Sequence, residues 1–479
     1  MKKRFALLMA LVMVLGLASF SAAEEPVNLV WYLFTSDTAP KDLDMVAAEL
    51  NKMSAEDIGV TIEFRYLDST QIDLAMNSGE YFDMAFTCNW YNDYATACNN
   101  GLFYDITDII AEKAPALYEY IPDMLWDATQ VGGRNYGIPV MKDYGIEVFW
   151  RFDPDAFPDM EIERTMTFRD VEPFLAAYKE ANPSEYPMLL AKGGVVSMEN
   201  MLDWINRYYL VALEYSDDAD ADAYKVMFAL ESPELIDNYK ALQEWYQKGY
   251  INPDAATTET IVGAQYSPVR SGQGWFGAEG VWEGVVQHKQ VISRYEGPYL
   301  STASVQGALT GISAATNYID ECLKFQEYVN TDVEYRTMLR YGIEGTHYNY
   351  NADGTVTVTA EGADGYKPAA YSQGSYAVGP IEGEGNDPDM WAKVFAGYEE
   401  AKVSKIIGFN FNNEEVEMEC TAVAAIWLNY SPELRTGSST EPVEDVLAKC
   451  IAEMEAAGIR EIIEECQRQL DEFVAAQAE

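Results

Sequence analysis

Apolar positions along this chain switch repeatedly between two periods. Residues 27–34 (VNLVWYLF) are apolar almost without a break, as expected of a strand buried on both faces. Leu43, Val46, Ala47 and Leu50 then share one helical face across 42–53. Residues 60–66 (VTIEFRY) alternate as a second strand. Helical spacing returns at 70–77, and 83–87 (DMAFT) reads as a third strand. Helical patterns resume from Tyr91 and again over 105–113. This β-α-β-α-β order predicts a mostly parallel sheet covered by helices.

Residues 137–145 (GIPVMKDYG) are flanked by glycine and contain Pro139, so they read as a crossing segment rather than a helix. Residues 147–152 (EVFWRF) form a strand pattern that opens a second unit. Helices are predicted near 168–181, 198–204 and 234–248. A hairpin is predicted from 208–215 and 224–230, joined by the acidic turn SDDADADA. Residues 275–280 (WFGAEG) and 307–313 (GALTGIS) suggest two further short strands, and 318–329 and 333–341 suggest helices. Asn351-Ala352-Asp353-Gly354 marks a hairpin turn. Residues 360–390 read as loop, and the remainder is largely helical. Pro442 opens one of those helices and Gly458 lies just past its end.

The N-terminus changes the picture. Lys2, Lys3 and Arg4 precede an apolar run from Phe5 to Phe20, and small residues follow. That is the order of a secretory signal, with cleavage expected after Ala23. The run is short for a membrane span. The mature protein is therefore expected to be soluble and outside the cytoplasm.

With 78 acidic and 32 basic residues the net charge is −46, and losing the signal makes it three units more negative. Such a chain repels nucleic acid and anionic lipid. It is not disordered, because 48% of its residues are hydrophobic and 13% aromatic. A length of 479 residues suggests two or three domain-sized units.

Six cysteines are too sparse for a disulfide scaffold, and none form CxxC. Cys88 and Cys98 read either as a pair or as small buried thiols. Two histidines, His288 and His347, exclude a histidine-rich metal site. A calcium loop starting at Asp218 needs glycine at its sixth place and glutamate at its twelfth. Ala223 and Ala229 stand there, so a solvated acidic turn is the reading.

Four motifs occur in order behind the signal. Asn77-Ser78-Gly79-Glu80-Tyr81-Phe82-Asp83 resembles the SGE-x-F/Y-D lead-in of family 1 extracellular solute-binding proteins of ABC importers. Trp245-Tyr246-Gln247-Lys248-Gly249-Tyr250-Ile251, followed by Asp254-Ala255-Ala256, is similar to their WY-x-KGYI helix end. Gly342-Ile343-Glu344-Gly345-Thr346-His347-Tyr348 resembles the G-x-EG-x-HY element of one subgroup. The GFNFN and QRQLDEF stretches resemble the helical C-terminal domain of unknown function in that subgroup.

The resemblance implies an α/β, two-lobed periplasmic-binding-protein-like fold of type II, with mostly parallel sheets, hinge crossings and a helical C-terminus. It places lobe 1 at 24–141 and 306–365, and lobe 2 at 142–305 and 366–479. It further implies capture of a sugar or oligosaccharide between the lobes and delivery to membrane permease subunits. No enzyme activity, cofactor, metal or nucleic acid is expected, and a monomer is. Many relatives are lipoproteins. This chain has no cysteine before Cys88, so no lipid anchor is expected.

Ligands in open α/β sheets bind at the carboxyl ends of strands. That rule selects Thr35, Ser36 and Asp37 after the first strand, and Asn89, Trp90 and Tyr91 after the third. It also selects Lys142, Asp143 and Tyr144 in the crossing segment and Trp275, Phe276 and Glu279 later. The turn from Glu344 to His347 completes the set.

Sugars present apolar CH faces and rings of hydroxyls, so flat aromatic surfaces and planar polar groups suit them. The ligand-binding candidates are Thr35, Asn89, Trp90, Asp143, Tyr144, Trp275 and Glu344. Trp90 is a stacking platform or a core filler, and Trp275 a platform or a helix cover. Asp143 and Glu344 are hydroxyl acceptors or capping carboxylates. His347 reads as a hydrogen-bonded turn residue.

Two other classes compete. A secreted glycoside hydrolase needs two carboxylates around a scissile bond, and carboxylates abound. No GxSxG, HExxH or Walker motif is present. A polysaccharide-binding envelope protein is the third class. Strand–helix alternation with a mid-chain crossing favours the hinged binder.

Overall fold

The computed structural model describes residues 25–215, 224–262 and 265–477. The expected signal segment at 1–23 and the acidic turn at 217–222 lie outside the described residues. In chain order, the strands of the two principal sheets are β1 (Val27–Phe34), β2 (Val60–Leu67), β3 (Met84–Thr87), β4 (Gly137–Pro139) and β5 (Ile146–Phe152). They continue with β6 (Val269–Gly274), β7 (Val291–Leu300), β8 (Leu309–Ile312) and β9 (Lys402–Val403).

The first sheet has the order β2-β1-β3-β8-β4. Trp31 of β1 is fully buried, with its ring edge-on to Phe325 at 5.6 Å. Helix α1 (Leu43–Ile58) stops at Gly59, whose left-handed backbone (φ 70°) lets its N–H return to Ala55. Helix α2 (Ser69–Ser78) starts on a capping box. Asp68 accepts from the Thr70 and Gln71 N–H groups, and the Gln71 side chain accepts from the Asp68 N–H. That cap fixes where β2 ends. Helix α3 (Val333–Tyr341) packs against α1 on this lobe.

The second sheet has the order β6-β5-β7-β9. Alternate β5 residues Val148, Trp150 and Phe152 point into a core with Phe168, Trp245 and Tyr295. The Trp150 and Tyr295 rings stack at 4.7 Å.

Mostly parallel sheets were the expectation. Parallel pairing holds for β1 with β2 and β3, and for β7 with β9. Strand β8 is antiparallel to both neighbours, and β5 is antiparallel to β6 and β7. The physical reason is the inserted second lobe. A strand returning from it enters the first sheet at the end where β4 left, so it must run the other way.

Three local expectations also change. The predicted helix at 198–204 does not form: Ser197 (φ 53°) precedes a turn over 198–201, and Leu202–Asn206 pairs as a strand with Val211–Glu214. The strand predicted at 275–280 lies earlier, as β6, which ends at Gly274. Gly277 (φ 110°) breaks the extended run before a helix begins at Glu279. The expected lobe boundary puts 366–398 in lobe 2. Its buried residues Tyr366, Ile381, Trp391, Val394 and Tyr398 instead join the core of the first lobe, because helix α4 (Met390–Gly397) lies against the crossing segment.

The C-terminal helices α5 (Glu417–Thr436), α6 (Val443–Ala456) and α7 (Ile459–Gln477) share the second lobe's core. On α7 the buried residues Ile459, Ile462, Cys466 and Leu470 form one face. Arg435 grips the buried Glu199 with two hydrogen bonds of 2.8 and 2.7 Å. Gly437 caps α5 so close to Leu242 that a Cβ there would stand 2.2 Å from its carbonyl oxygen. Cys88, Cys98 and the other four cysteines are buried free thiols.

Candidate functional site

Because β1, β2 and β3 run in one direction, their carboxyl ends gather on one side of the first lobe. Phe34 and Thr35 leave β1 there, Tyr66 comes from the end of β2, and Asn89 and Trp90 follow β3. Tyr371 arrives from the short turn Ala370–Ser372. A cavity of about 310 Å³ lies among Phe34, Thr35, Tyr66, Lys367 and Tyr371.

Trp90 stands beside it, 48% exposed, yet it is not loose. Its indole N–H donates to the Gly307 carbonyl at 2.9 Å, and its ring lies edge-on to Phe34 at 5.2 Å and 6.1 Å from Tyr371. A large aromatic face that is oriented but uncovered is what a stacking platform requires.

Asn89 donates its side-chain amide to the Ala303 carbonyl at 2.7 Å and its backbone N–H to Gln306 at 3.1 Å. It ties the platform to the segment that returns from the second lobe. The Thr35 hydroxyl donates to the Thr38 carbonyl at 2.9 Å and accepts from the Asp37 N–H at 3.2 Å, which shapes the loop after β1.

In the crossing segment Asp143 accepts from Lys142 at 3.0 Å, with both side chains about 15% exposed. Tyr144 is committed to packing. Its ring stacks on Phe395 at 5.3 Å and meets Tyr398 at 4.8 Å, and burial pushes its phenol up to about 12.

Trp275 follows the carboxyl end of β6 and crosses to the first lobe's core, its ring 4.9 Å from Trp391. Trp391 in turn lies 5.2 Å from Tyr376. Both indole N–H groups, of Trp275 and Trp391, are buried without a hydrogen-bond partner. Each such donor costs about 1–3 kcal/mol. A hydroxyl oxygen brought between the lobes would relieve that cost.

Glu344 is exposed on a turn and lines neither described cavity. His347 beside it is fully buried. Its Nδ1 accepts from the Ile343 N–H at 2.9 Å, which leaves the proton on Nε2, 3.3 Å from Asp42. This is the structural role expected of it.

A larger cavity of about 710 Å³ lies between β5, β7 and α4, lined by Glu147, Phe276, Arg294, Glu296, Tyr299 and Lys393 among others. Its polar groups largely satisfy one another. Arg294 donates to Glu147 at 2.7 Å, Tyr299 donates to Glu296, and Lys393 pairs with Asp387. Arg164 lies over the Phe276 ring at 3.6 Å. Burial raises Glu147 and pushes Glu296 up to about 7. Size alone favours this cavity. The uncovered platform at Trp90 favours the smaller one, since a flat aromatic face suits a ring-shaped solute. No cluster of metal-ligating residues occurs among the described residues.

Sequence reasoning missed Tyr371, Tyr376 and Trp391. Tyr366, Tyr371 and Tyr376 recur every five residues in a stretch read only as loop. That aromatic density was the available signal.

Residues 405–475 match a domain of unknown function, DUF3502. A carbohydrate ABC transporter substrate-binding protein of Streptococcus pneumoniae serotype 4 is 24% identical, over 95% of this chain and 93% of its own. The N-glycan transport solute-binding protein NgtS of Streptococcus pneumoniae superposes with a TM-score of 0.84 at 22% identity. The match covers 94% of this chain and 100% of that one. The chain has the fold of the two-lobed solute-binding proteins.

NgtS in complex with Man1GlcNAc superposes with a TM-score of 0.76, at 21% identity over 94% and 99% of the two chains. Within this solute-binding fold, the DUF3502 segment comprises α5, α6 and most of α7. It is part of the second lobe's core rather than an appended module. No helix among the described residues is long and apolar enough to cross a membrane.

Proposed function

We propose that this protein is the extracytoplasmic solute-binding component of an ABC importer, and that it grips a sugar or oligosaccharide between its lobes. The observation that carries this reading is Trp90, half exposed and held by a 2.9 Å hydrogen bond at the joint carboxyl ends of β1–β3. The solute stacks on Trp90 and Tyr371. Thr35, Asn89 and Asp143 present polar groups to its hydroxyls. The paired Trp275 and Trp391, where the two lobes meet, offer it their unpartnered indole N–H groups. Tyr144 supports the site from behind, and Glu344 stays at its margin.

The solute selects the closed arrangement only by binding it better than the open one. A micromolar ligand supplies roughly 8 kcal/mol in total, part of it spent on closure. The solute leaves unaltered, to permease subunits in the membrane. The protein works as a monomer, exported by its N-terminal segment.

Thermal melting of the mature protein against mono- and oligosaccharides tests this, starting with those built from mannose and N-acetylglucosamine. At a hundredfold excess over Kd a true ligand adds about 2.7 kcal/mol. Trp90→Ala is expected to abolish the ligand-induced shift while leaving the ligand-free melt nearly unchanged. Cleavage of the oligosaccharide would replace this reading with a glycoside hydrolase. Binding to insoluble polysaccharide alone would replace it with an envelope adhesin.

A further inference from the structure

Arg336 sits mid-way along α3 with no exposed surface, and none of its hydrogen bonds goes to a carboxylate. Its guanidinium instead donates four hydrogen bonds into one short segment. Nε reaches the Ser375 carbonyl at 2.8 Å, and Nη1 reaches Gln373 Oε1 at 3.1 Å. Nη2 reaches the Ala370 and Gly374 carbonyls at 3.1 and 2.9 Å.

Burying a cation without a counter-ion is strongly unfavourable, and an apolar side chain of similar volume serves a core as well or better. Desolvation pulls this guanidinium down to about 10. What the four bonds secure is a single shape for residues 370–375.

That segment, with Tyr376 just after it, reaches the candidate site and the crossing segment at three places. Tyr371 stands 6.0 Å from Phe34 and 6.1 Å from Trp90. Gln373, fully buried between its partners, passes the contact on by donating to the Tyr66 hydroxyl at 3.0 Å, and Tyr66 lines the cavity. The next residue, Tyr376, donates its N–H to the Met141 carbonyl in the crossing segment at 2.8 Å. The packing is tight, since a Cβ on Gly374 would stand 2.9 Å from Val329.

We infer that Arg336 is a positioning residue for the saccharide site: it clamps residues 370–375 so that Tyr371 stands as a second aromatic face beside Trp90. The saccharide part of this inference rests on the function proposed above, whereas the clamp does not.

The test uses the mature full-length protein. Arg336→Lys keeps the charge but cannot reach four acceptors with a fork. The Trp90 contribution to fluorescence, isolated by difference from the same protein carrying Trp90→Phe, is read without ligand. Acrylamide quenching of that contribution is expected to rise about twofold. Affinity for the saccharide that shifts the wild-type melt is expected to fall tenfold or more. Glu199→Gln, which weakens a buried pair in the other lobe, is expected to change neither reading.

Unchanged quenching and affinity in folded Arg336→Lys would overturn the inference, as would equal effects of Glu199→Gln. If Arg336→Lys does not fold, Gln373→Met decides the same question. It leaves the three backbone acceptors of Arg336 but cuts the link to Tyr66, so raised Trp90 quenching supports the clamp and wild-type quenching refutes it. Altered quenching in a protein that binds no saccharide at all would sustain the clamp and refute the function proposed above.

Discussion

Asp203 carries the clearest pH-dependent consequence of this structure. It lies on the strand Leu202–Asn206, 4% exposed, with Oδ1 lacking any hydrogen-bond partner and Ser404 the polar side chain facing it. Burial pushes its carboxyl from the ordinary 3.8 up to about 7. The folded protein therefore holds this proton more tightly than the unfolded chain does. Its contribution is intact below about pH 4, declines as pH rises from there to about 7, and stays low above that.

A shift of about three units corresponds to a penalty on the order of 4 kcal/mol at pH 8. Asp203→Asn removes the titration at nearly constant volume, and leaving an amide donor to satisfy costs about 1–2 kcal/mol. The variant is thus expected to be about 2–3 kcal/mol more stable than the wild type at pH 8. At pH 4 it is expected to be slightly less stable. Urea melts of both proteins at pH 4, 6 and 8 measure the difference. Glu296 titrates in the same direction in both proteins and cancels. A difference that does not vary with pH, or a variant less stable at pH 8, would refute the reasoning.

Glu199→Gln leaves Arg435 and Tyr239 facing a neutral amide in a buried site. A loss of about 3 kcal/mol is expected in urea melts, since breaking one side of a buried pair is strongly destabilising. Burial alone would raise the Glu199 carboxyl, but Arg435 holds it below its ordinary value, so this pair stabilises above the carboxylate range and is lost as pH falls into it. Because all six cysteines are buried free thiols, reductant is expected to leave the melting temperature unchanged, and six thiols should alkylate in denaturant. Trp391→Phe removes an unsatisfied donor and is expected to change ligand-free stability by less than about 1 kcal/mol. Calorimetry should show a several-fold weaker saccharide, and unchanged affinity would exclude that indole from the site.

Much of the fold was legible because helix and strand periods are local. The apolar run at 27–34 is β1 to the residue, and the patterns at 42–53, 60–66 and 70–77 become α1, β2 and α2. The carboxyl-end rule brought Thr35, Asn89 and Trp90 to one place, since it depends only on strand direction. It did not separate Trp90 from Tyr144, because both are aromatics next to polar residues. One is uncovered and the other lies under α4, a helix some 250 residues away in sequence that no local pattern assigns to it.

From the sequence alone came the element types, their order, the crossing between two units and the acidic, aromatic-rich character of the whole. Only the tertiary structure decided that β8 runs backwards, that the C-terminal helices complete the second lobe, that Tyr371 stands beside Trp90 and that Trp391 packs on Trp275. It also decided that Arg336 holds Tyr371 there. The reason is that burial and hydrogen-bond partners are settled between segments far apart in the chain. Trp90 is aimed by Gly307, and His347 is matched with Asp42. Periodicity reports which face of an element is apolar, but not which distant segment will cover it.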